Sequence, residues 1–206
     1  MKRCCFVILS LLHFYVAAMF MTACSENKDD EFNSAEWKTK NETYFEQQYQ
    51  AHSAQTATSF ILPSWTQASS KSLSEVEHTK CVLVDVLEEG TVGGDCPQYT
   101  DSVMVHYSGR LLPTNDYPKG FVFDQSYLST LDPDVDVPAT FGLSSSILEG
   151  FSTAVQHMHR GDHWRVTIPY QLGYGTSDNG VIPAYSTLIF ELQLIDFWFK
   201  EEGDRN

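Results

Sequence analysis

The C-terminal half of the chain carries three histidines close together, and histidine is the side chain most often used to hold a metal ion. His157 and His159 are two residues apart, and His163 follows the turn-like segment Arg160-Gly161-Asp162. Residues two apart on a helix point to different faces, so the spacing favours separate structural roles over a shared zinc site, which stays an alternative. Gly173-Tyr174-Gly175 is too short to cradle a phosphate. The sequence therefore predicts no metal site and no cofactor.

Aromatic and aliphatic residues beside glycines recur in the same half and could build one apolar site. They form the segments Val105–Gly109, Phe121–Asp124, Ile147–Phe151, Gly173–Gly175, Val181–Pro183 and Thr187–Leu192. Each segment alone is typical of ordinary core or turn, and only their order and spacing together indicate a pocket. Such a pocket would act by excluding water and by positioning a substrate, without a nucleophile.

Strands of alternating pattern must position these segments. The apolar residues recur with a period of two, which is typical of half-buried strands. The predicted strand faces are Val82, Val84 and Val86; Val103, Val105 and Tyr107; Trp164, Val166 and Ile168; and Leu188, Phe190, Leu192 and Leu194. A shorter apolar stretch, Phe60–Trp65, contains Pro63, so it is predicted to be an edge strand followed by a linker.

One helix is predicted among these strands. Apolar residues fall on a single helical stripe, at Ile147, Leu148, Phe151, Ala154, Val155 and Met158. A helix with one apolar face set among antiparallel strands must bury that face on the sheet. The fold class is therefore α+β, a curved antiparallel sheet wrapped around one short helix, over about residues 80–200.

The order of the segments resembles the FKBP-type peptidyl-prolyl cis-trans isomerases, whose fold has this arrangement. The resemblance covers Cys81–Asp196. It implies a pocket whose catalytic residues are Tyr107, Phe123, Asp124, Leu148, Phe151 and Tyr174, and whose substrate-binding residues are Ile147, Ile182 and Phe190. Ala139 stands where the family often has a further pocket aromatic, two residues before Phe141.

The resemblance also implies a role for each position. Phe151 would be the floor under a proline ring, the backbone N–H of Leu148 and the hydroxyl of Tyr174 would hold substrate carbonyls, and Asp124 would lie at the pocket edge. Rotation about an X-Pro bond has a barrier of about 18–20 kcal/mol because the planar amide is stabilised by resonance. A water-poor pocket disfavours that polar planar state, so no acid, base, metal or cofactor is needed. The expected partners are proline-containing peptides and unfolded or folding proteins. The alternative is a non-catalytic FKBP-like chaperone or peptide-binding module.

The N-terminus is predicted to be an export signal. Lys2 and Arg3 precede an apolar run from Phe6 to Phe20, and Met21-Thr22-Ala23-Cys24 resembles a bacterial lipobox. Residues 1–23 would then be removed and Cys24 would carry the lipid that anchors the protein at a bacterial membrane, with the outer membrane expected from Ser25. An uncleaved anchor is the alternative, and the periplasmic face and the cell surface both stay open.

The charge and the remaining cysteines limit the partners and the compartment. Loss of Lys2 and Arg3 would change the formal net charge from −14 to −16, which argues against binding nucleic acid. Cys81 and Cys96 are an even pair outside the cytosol, compatible with a disulfide or with two free buried thiols.

The rest of the chain reads as a tether and a helical extension. Residues 24–34 are an acidic tether, 35–79 an N-terminal helix and linker, 80–200 the isomerase domain and 201–206 a tail. The segment from Ser34 to Ser53 lacks Gly and Pro, and Trp37, Tyr44 or Phe45, and Gln48–Ala51 recur near helical spacing. This helix is predicted to dock on its own domain or to form a dimer or partner surface.

Overall fold

The computed structural model describes residues 34–67, 72–91, 93–132, 135–144 and 147–199, all within the compact unit Phe32–Asn206. The predicted signal peptide, Cys24, most of the tether and the C-terminal tail lie outside the described residues. None of the helices in the described ranges combines the length and the apolar character that a membrane span requires.

Over the described residues, the chain forms seven strands and two α-helices. Helix α1 covers Ser34–His52 and helix α2 covers Glu149–Val155. The strands are β1 Ser59–Pro63, β2 Cys81–Glu88, β3 Asp101–Arg110, β4 Val122–Gln125, β5 Ala139–Gly142, β6 His163–Ile168 and β7 Leu188–Phe199. In the same described ranges, three short 3-10 helices cover Leu73–Glu75, His78–Lys80 and Tyr170–Leu172.

All strands join one antiparallel sheet in the order β1-β2-β6-β7-β3-β4, with β5 also on β3. The long strand β3 pairs with β7 along one side. Its other side is shared end to end, with β5 opposite Ser102–Val105 and β4 opposite Ser108–Arg110. The α+β fold class and the four alternating strands predicted from the sequence are confirmed, and β1 lies at the sheet edge as Pro63 required.

Helix α2 packs its whole length into the main core. Every residue from Gly150 to Val155 is buried, and a Cβ on Gly150 would lie 2.3 Å from Cγ2 of Ile168, so only glycine allows this approach to β6. The predicted stripe was too long for the helix, because Ile147 and Leu148 precede it and Met158 follows it. Leu148 has an extended backbone, with φ −58° and ψ 138°. Met158 lies in the turn after the helix, and its side chain is buried. The apolar stripe in the sequence therefore overstated the length of the helix.

Helix α1 docks on its own domain. Trp37 is 1% exposed and belongs to the main core, and Phe45 is buried in a second cluster with Ile61 and Leu83. Ala51 is exposed, which differs from the predicted stripe, and the next residue, His52, is buried instead. The docking prediction is therefore the one that the structure matches.

Candidate active site

A cavity of about 440 Å³ opens between α2, the middle of β3 and the strands paired to it. This volume is within the range of about 300–1,000 Å³ typical of small-ligand pockets. Its lining residues are Tyr107, Asp124, Thr140, Phe141, Gly142, Ile147, Leu148, Phe151, Tyr174 and Phe190. Seven of these are predicted site residues, drawn from β3, β4, α2 and its approach, a loop and β7.

Aromatic rings packed edge to face form the interior of the cavity. The Phe151 ring lies 5.5 Å from the Phe190 ring, 5.8 Å from the Phe141 ring and 6.3 Å from the Tyr107 ring, each measured between centroids. All three pairs are close to perpendicular, the arrangement that aromatic quadrupoles favour. Phe151 is only 3% exposed, so it forms a fixed apolar surface at the centre of the cluster.

A glycine on β3 makes room for two of the rings. A Cβ on Gly109 would lie 2.6 Å from Cζ of Phe123 and 2.7 Å from Cε1 of Phe190. Phe123 in turn packs edge-on against Phe190 at 5.5 Å between centroids. Phe123 therefore supports Phe190 from outside the cavity lining.

One carboxylate reaches the cavity, and it is bound by a tyrosine of the lining. The Tyr107 hydroxyl donates to Asp124 Oδ2 at 2.8 Å, and the backbone N–H of Gln125 donates to Asp124 Oδ1 at 2.9 Å. Burial raises the pKa of Tyr107, and the hydrogen bond to the Asp124 carboxylate raises it further. The hydroxyl thus stays protonated and fixes the carboxylate at the edge of the aromatic cluster.

Two hydrogen-bond donors of the lining have no acceptor within the part of the chain that the structure describes. Among the described residues, neither the Leu148 backbone N–H nor the Tyr174 hydroxyl has a hydrogen-bond partner. Burial, followed by the charge of Asp124, raises the pKa of Tyr174, so its hydroxyl also keeps its proton. Free donors above an apolar floor are the arrangement expected for holding the carbonyl oxygens of an extended peptide.

A family model described as FKBP-type peptidyl-prolyl cis-trans isomerase matches residues 93–195, which is half of the chain. The chain belongs to the FKBP-type peptidyl-prolyl cis-trans isomerase family. The matched region starts just before β3 and ends within β7, so it holds every lining residue of the cavity.

Curated FKBP-type relatives align with this region. The macrophage infectivity potentiator of Trypanosoma cruzi is 39% identical over 104 residues, which cover 50% of this chain and 46% of that protein. The FKBP-type 22 kDa peptidyl-prolyl cis-trans isomerase of Escherichia coli is 36% identical over 104 residues, which cover 50% of this chain and 44% of that protein. The matched segment therefore spans less than half the length of these relatives.

Solved structures agree with the fold. A peptidyl-prolyl cis-trans isomerase from Pseudomonas syringae superposes with a TM-score of 0.51 and 26% identity, covering 76% of this chain and 95% of that chain. FkpA from Escherichia coli superposes with a TM-score of 0.54 and 24% identity, covering 92% of this chain and 71% of that chain, which supports the fold alone.

Two residues assigned to the pocket from the FKBP resemblance lie outside the lining. Phe123 is behind Phe190, and Ile182 is 3% exposed within the main core. The Ile182 backbone N–H donates to Asn179 Oδ1 at 2.7 Å, which ties the loop down while the side chain packs inward. Phe123 therefore supports Phe190 from outside the lining, and Ile182 is a residue of the main core.

Three lining residues were absent from the predicted site, and all belong to β5. Thr140, Phe141 and Gly142 follow Ala139 and place one edge of the cavity against Tyr107. Phe141 packs 5.6 Å from the Tyr107 ring, so an aromatic residue stands in this wall although Ala139 does not provide it. The aromatic residue Phe141, two positions after Ala139, was the feature of the sequence that could have indicated this wall.

The two cysteines of the predicted disulfide lie outside the cavity lining. Cys81 is a free thiol buried beside Phe45 and Ile61, and Cys96 is a free, half-buried thiol in the loop before β3. The disulfide between them is therefore wrong for this structure, because each thiol has its own surroundings. Burial raises the pKa of Cys81 to about 11, so this thiol is protonated.

The histidines do not form a metal site among the residues that the structure describes. His157 Nδ1 donates to the carbonyl of Thr153 at 2.8 Å, while His159 Nδ1 lies 3.5 Å from Asp162 Oδ2. Gly161 has φ +89°, which is the turn expected after the helix.

Proposed function

We propose that this protein is a peptidyl-prolyl cis-trans isomerase that accelerates rotation about X-Pro bonds. The observation that carries the proposal is the aromatic cavity whose donors, the Leu148 N–H and the Tyr174 hydroxyl, have no protein acceptor among the described residues. Membership of the FKBP family supports the same activity, and the names of its relatives include peptidyl-prolyl cis-trans isomerase.

The cavity fits the physical demands of this reaction. The planar X-Pro amide is polar and resonance-stabilised, and the twisted transition state loses that resonance. The proline ring would lie on Phe151, with the walls formed by Tyr107, Phe190 and Ile147. Transfer from water into this apolar space would disfavour the planar ground state relative to the twisted state.

Hydrogen bonds would hold the peptide on each side of the rotating bond. The Leu148 N–H and the Tyr174 hydroxyl would donate to substrate carbonyls, and Asp124, fixed by Tyr107, would orient the groups next to the rotating amide. All of these residues position and desolvate the substrate, and none of them forms a covalent intermediate.

A proline isomerisation assay on the chain from Ser25 to Asn206 tests this proposal. This fragment contains the whole compact unit Phe32–Asn206. We expect faster cis-trans exchange of a peptide with one X-Pro bond than in buffer alone. Asp124→Asn, purified in parallel, controls for contaminating isomerases, which would act equally in both preparations. A folded protein that leaves the spontaneous rate unchanged would favour the binding module instead.

We also propose that the protein is a lipoprotein anchored through Cys24, the first residue after cleavage, and that its substrates are extracytoplasmic proteins. The support is the basic start, the apolar run and the Met21–Cys24 segment followed by Ser25. Metabolic labelling with an alkyne fatty acid should tag the wild-type protein and leave Cys24→Ser untagged. Digestion of intact cells with a protease would then separate the cell surface from the periplasmic face of the outer membrane.

A further inference from the structure

The first residue of α2 is bound by a segment that is distant in sequence. Glu149 Oε1 accepts a hydrogen bond from the Thr66 hydroxyl at 2.7 Å and another from the Ser64 hydroxyl. Both hydroxyls directly follow strand β1. Glu149 is adjacent to Leu148, whose backbone N–H belongs to the cavity lining and has no acceptor among the residues that the structure describes.

A second set of hydrogen bonds joins the same two segments. The backbone N–H of Trp65 donates to Thr153 Oγ1 at 3.2 Å, and Thr153 Oγ1 donates to the carbonyl of Glu149 at 2.8 Å. The segment 64–66 therefore contacts both the first and the second turn of α2. We call these contacts between Ser64–Thr66 and Glu149 with Thr153 the clasp.

The clasp is anchored in the sheet. Ser64 is fully buried, and its backbone N–H donates to the carbonyl of Lys80 at 2.8 Å, directly before β2. Strand β1 is itself paired with β2 from Ser59 to Pro63. The segment that carries the hydroxyls is thus fixed to the sheet, by the pairing of β1 with β2 and by the hydrogen bond from Ser64 to Lys80.

One side of the clasp, Ser64–Thr66, lies outside the part of the chain that matches the family model. The family match begins at residue 93, whereas Ser64, Trp65 and Thr66 belong to the preceding extension. Helix α2 has seven residues, and a helix this short is held by tertiary contacts much more than by its own hydrogen bonds. Hydrogen bonds to a carboxylate are about twice as strong as those between neutral groups, so the clasp is a strong contact for its size.

We propose that Glu149 is a positioning residue: through the clasp it holds the first turn of α2 so that the Leu148 N–H keeps its place at the cavity. The N-terminal extension thereby sets the geometry of a site whose lining it does not enter. This inference rests on the proposed isomerase function for its kinetic readout only. Misplacing a substrate-binding group by about 1 Å can cost on the order of a hundred-fold in rate.

The test compares variants of the chain from Ser25 to Asn206. Glu149→Ala and Thr66→Val remove opposite ends of the clasp without touching the cavity lining. We expect kcat/KM to fall about ten-fold in Glu149→Ala and less in Thr66→Val, as expected for displaced positioning groups. Glu149→Gln keeps an acceptor oxygen and should recover most of the activity. Glu36→Ala, an exposed carboxylate in the first turn of α1, is the matched control and should be unchanged.

The backbone amide resonance of Leu148 supplies a readout that a loss of stability alone would not move. In wild-type protein this resonance should shift when a proline peptide is titrated, and the shift should shrink in Glu149→Ala and Thr66→Val while the rest of the spectrum stays native. Wild-type activity together with an unchanged Leu148 response in folded Glu149→Ala would overturn the inference. Should Glu149→Ala fail to fold, Thr66→Val decides by the same two measurements.

The kinetic and spectroscopic results separate the two proposals. An inactive wild-type protein would defeat the proposed isomerase function, but the Leu148 amide response to peptide would still report on positioning. A normal Leu148 response in both clasp variants would then defeat the positioning role as well.

Discussion

The cavity and the surface where α1 docks are both built from aromatic rings and polar groups, but they differ in whether those polar groups have partners. At the docking surface the Trp37 indole N–H donates to Ser186 Oγ at 2.9 Å, and Asn41 Oδ1 accepts from the Thr187 N–H at 2.7 Å. In the cavity the Leu148 N–H and the Tyr174 hydroxyl have no partner among the described residues.

This difference distinguishes a surface that stabilises the fold from one that binds a ligand. Burying a polar group without a partner costs free energy, so a docking surface must satisfy its groups internally. A binding site instead keeps donors for its ligand and leaves them in contact with water until the ligand arrives. Substitutions at the docking surface should therefore change the free energy of unfolding, and substitutions in the cavity should change kcat/KM.

The largest effect is expected for Trp37→Ala. Trp37 is 1% exposed in the main core, and truncating a buried Trp typically costs about 3–5 kcal/mol of unfolding free energy. The measurement is urea denaturation followed by circular dichroism. Trp198→Ala is the control, because Trp198 is 42% exposed on β7 and its removal should change stability by only about 0.5 kcal/mol. If Trp37→Ala lost as little unfolding free energy as Trp198→Ala, the docking of α1 would contribute little to stability.

Asp124→Asn should have the largest effect on activity among the cavity substitutions. It removes the negative charge of the carboxylate that accepts the hydrogen bond from the Tyr107 hydroxyl at 2.8 Å. Hydrogen bonds to charged groups contribute about 1.5–3 kcal/mol, so we expect kcat/KM to fall by about ten-fold to a hundred-fold. Asp116→Asn, an exposed carboxylate outside the cavity, should retain wild-type kinetics. A stability loss larger than the activity loss would place Asp124 with the docking-type residues.

Asn41→Ala tests the docking surface without removing an aromatic ring. Asn41 is fully buried, accepts from the Thr187 N–H and donates to the Trp37 carbonyl at 2.7 Å. Leaving those groups unpaired should lower the unfolding free energy by about 1–3 kcal/mol. Asn179→Ala also removes hydrogen bonds to backbone N–H groups, but Asn179 is exposed and water can replace it, so the loss should be smaller.

The sequence was sufficient for the parts of the fold that repeat a local pattern. Strands such as β3 and β7 alternate over many residues, so a period of two identifies them. Strands β4 and β5 have four residues each, too few for a period. The lining residues Thr140, Phe141 and Gly142 of β5 were not predicted.

Contacts between residues far apart in sequence were beyond prediction from pattern. Asn41 is buried although it is polar, since Thr187 supplies a hydrogen bond to its side chain. Thr187 is 146 residues away, so no pattern near Asn41 indicates this contact. Glu149 is bound by hydroxyls 83 and 85 residues before it, and no local signal distinguishes it from an ordinary helix carboxylate. Ile182 and Phe123 were assigned to the pocket by correspondence with a family, which fixes position in the chain but not the direction of each side chain.

The Tyr107–Asp124 pair should also appear in the alkaline stability of the protein. Burial, then the hydrogen bond to Asp124, raises the pKa of Tyr107 above its ordinary value of 10.0. The unfolded chain therefore loses this proton first, so stability present below pH 10 is lost as the pH rises above it. The measurement is the denaturation midpoint of wild type and of Tyr107→Phe from pH 8 upward. The difference between the two midpoints should decrease above about pH 10. A constant difference would mean that the fold does not raise the pKa of Tyr107, through burial or through Asp124.

The smallest effect is expected for Tyr174→Phe, which makes the sharpest contrast with Asn41→Ala. The Tyr174 side chain is 43% exposed and its hydroxyl has no partner in the described part of the chain, so removing the oxygen should change the unfolding free energy by only about 0.5 kcal/mol. A neutral hydrogen bond to substrate contributes about 0.5–1.5 kcal/mol, so kcat/KM should fall by roughly two-fold to ten-fold. Steady-state kinetics and urea denaturation on the same preparation measure both quantities. If Tyr174→Phe instead lost stability as Asn41→Ala does, the hydroxyl would have a partner within the fold, and the cavity would hold one fewer group for the substrate.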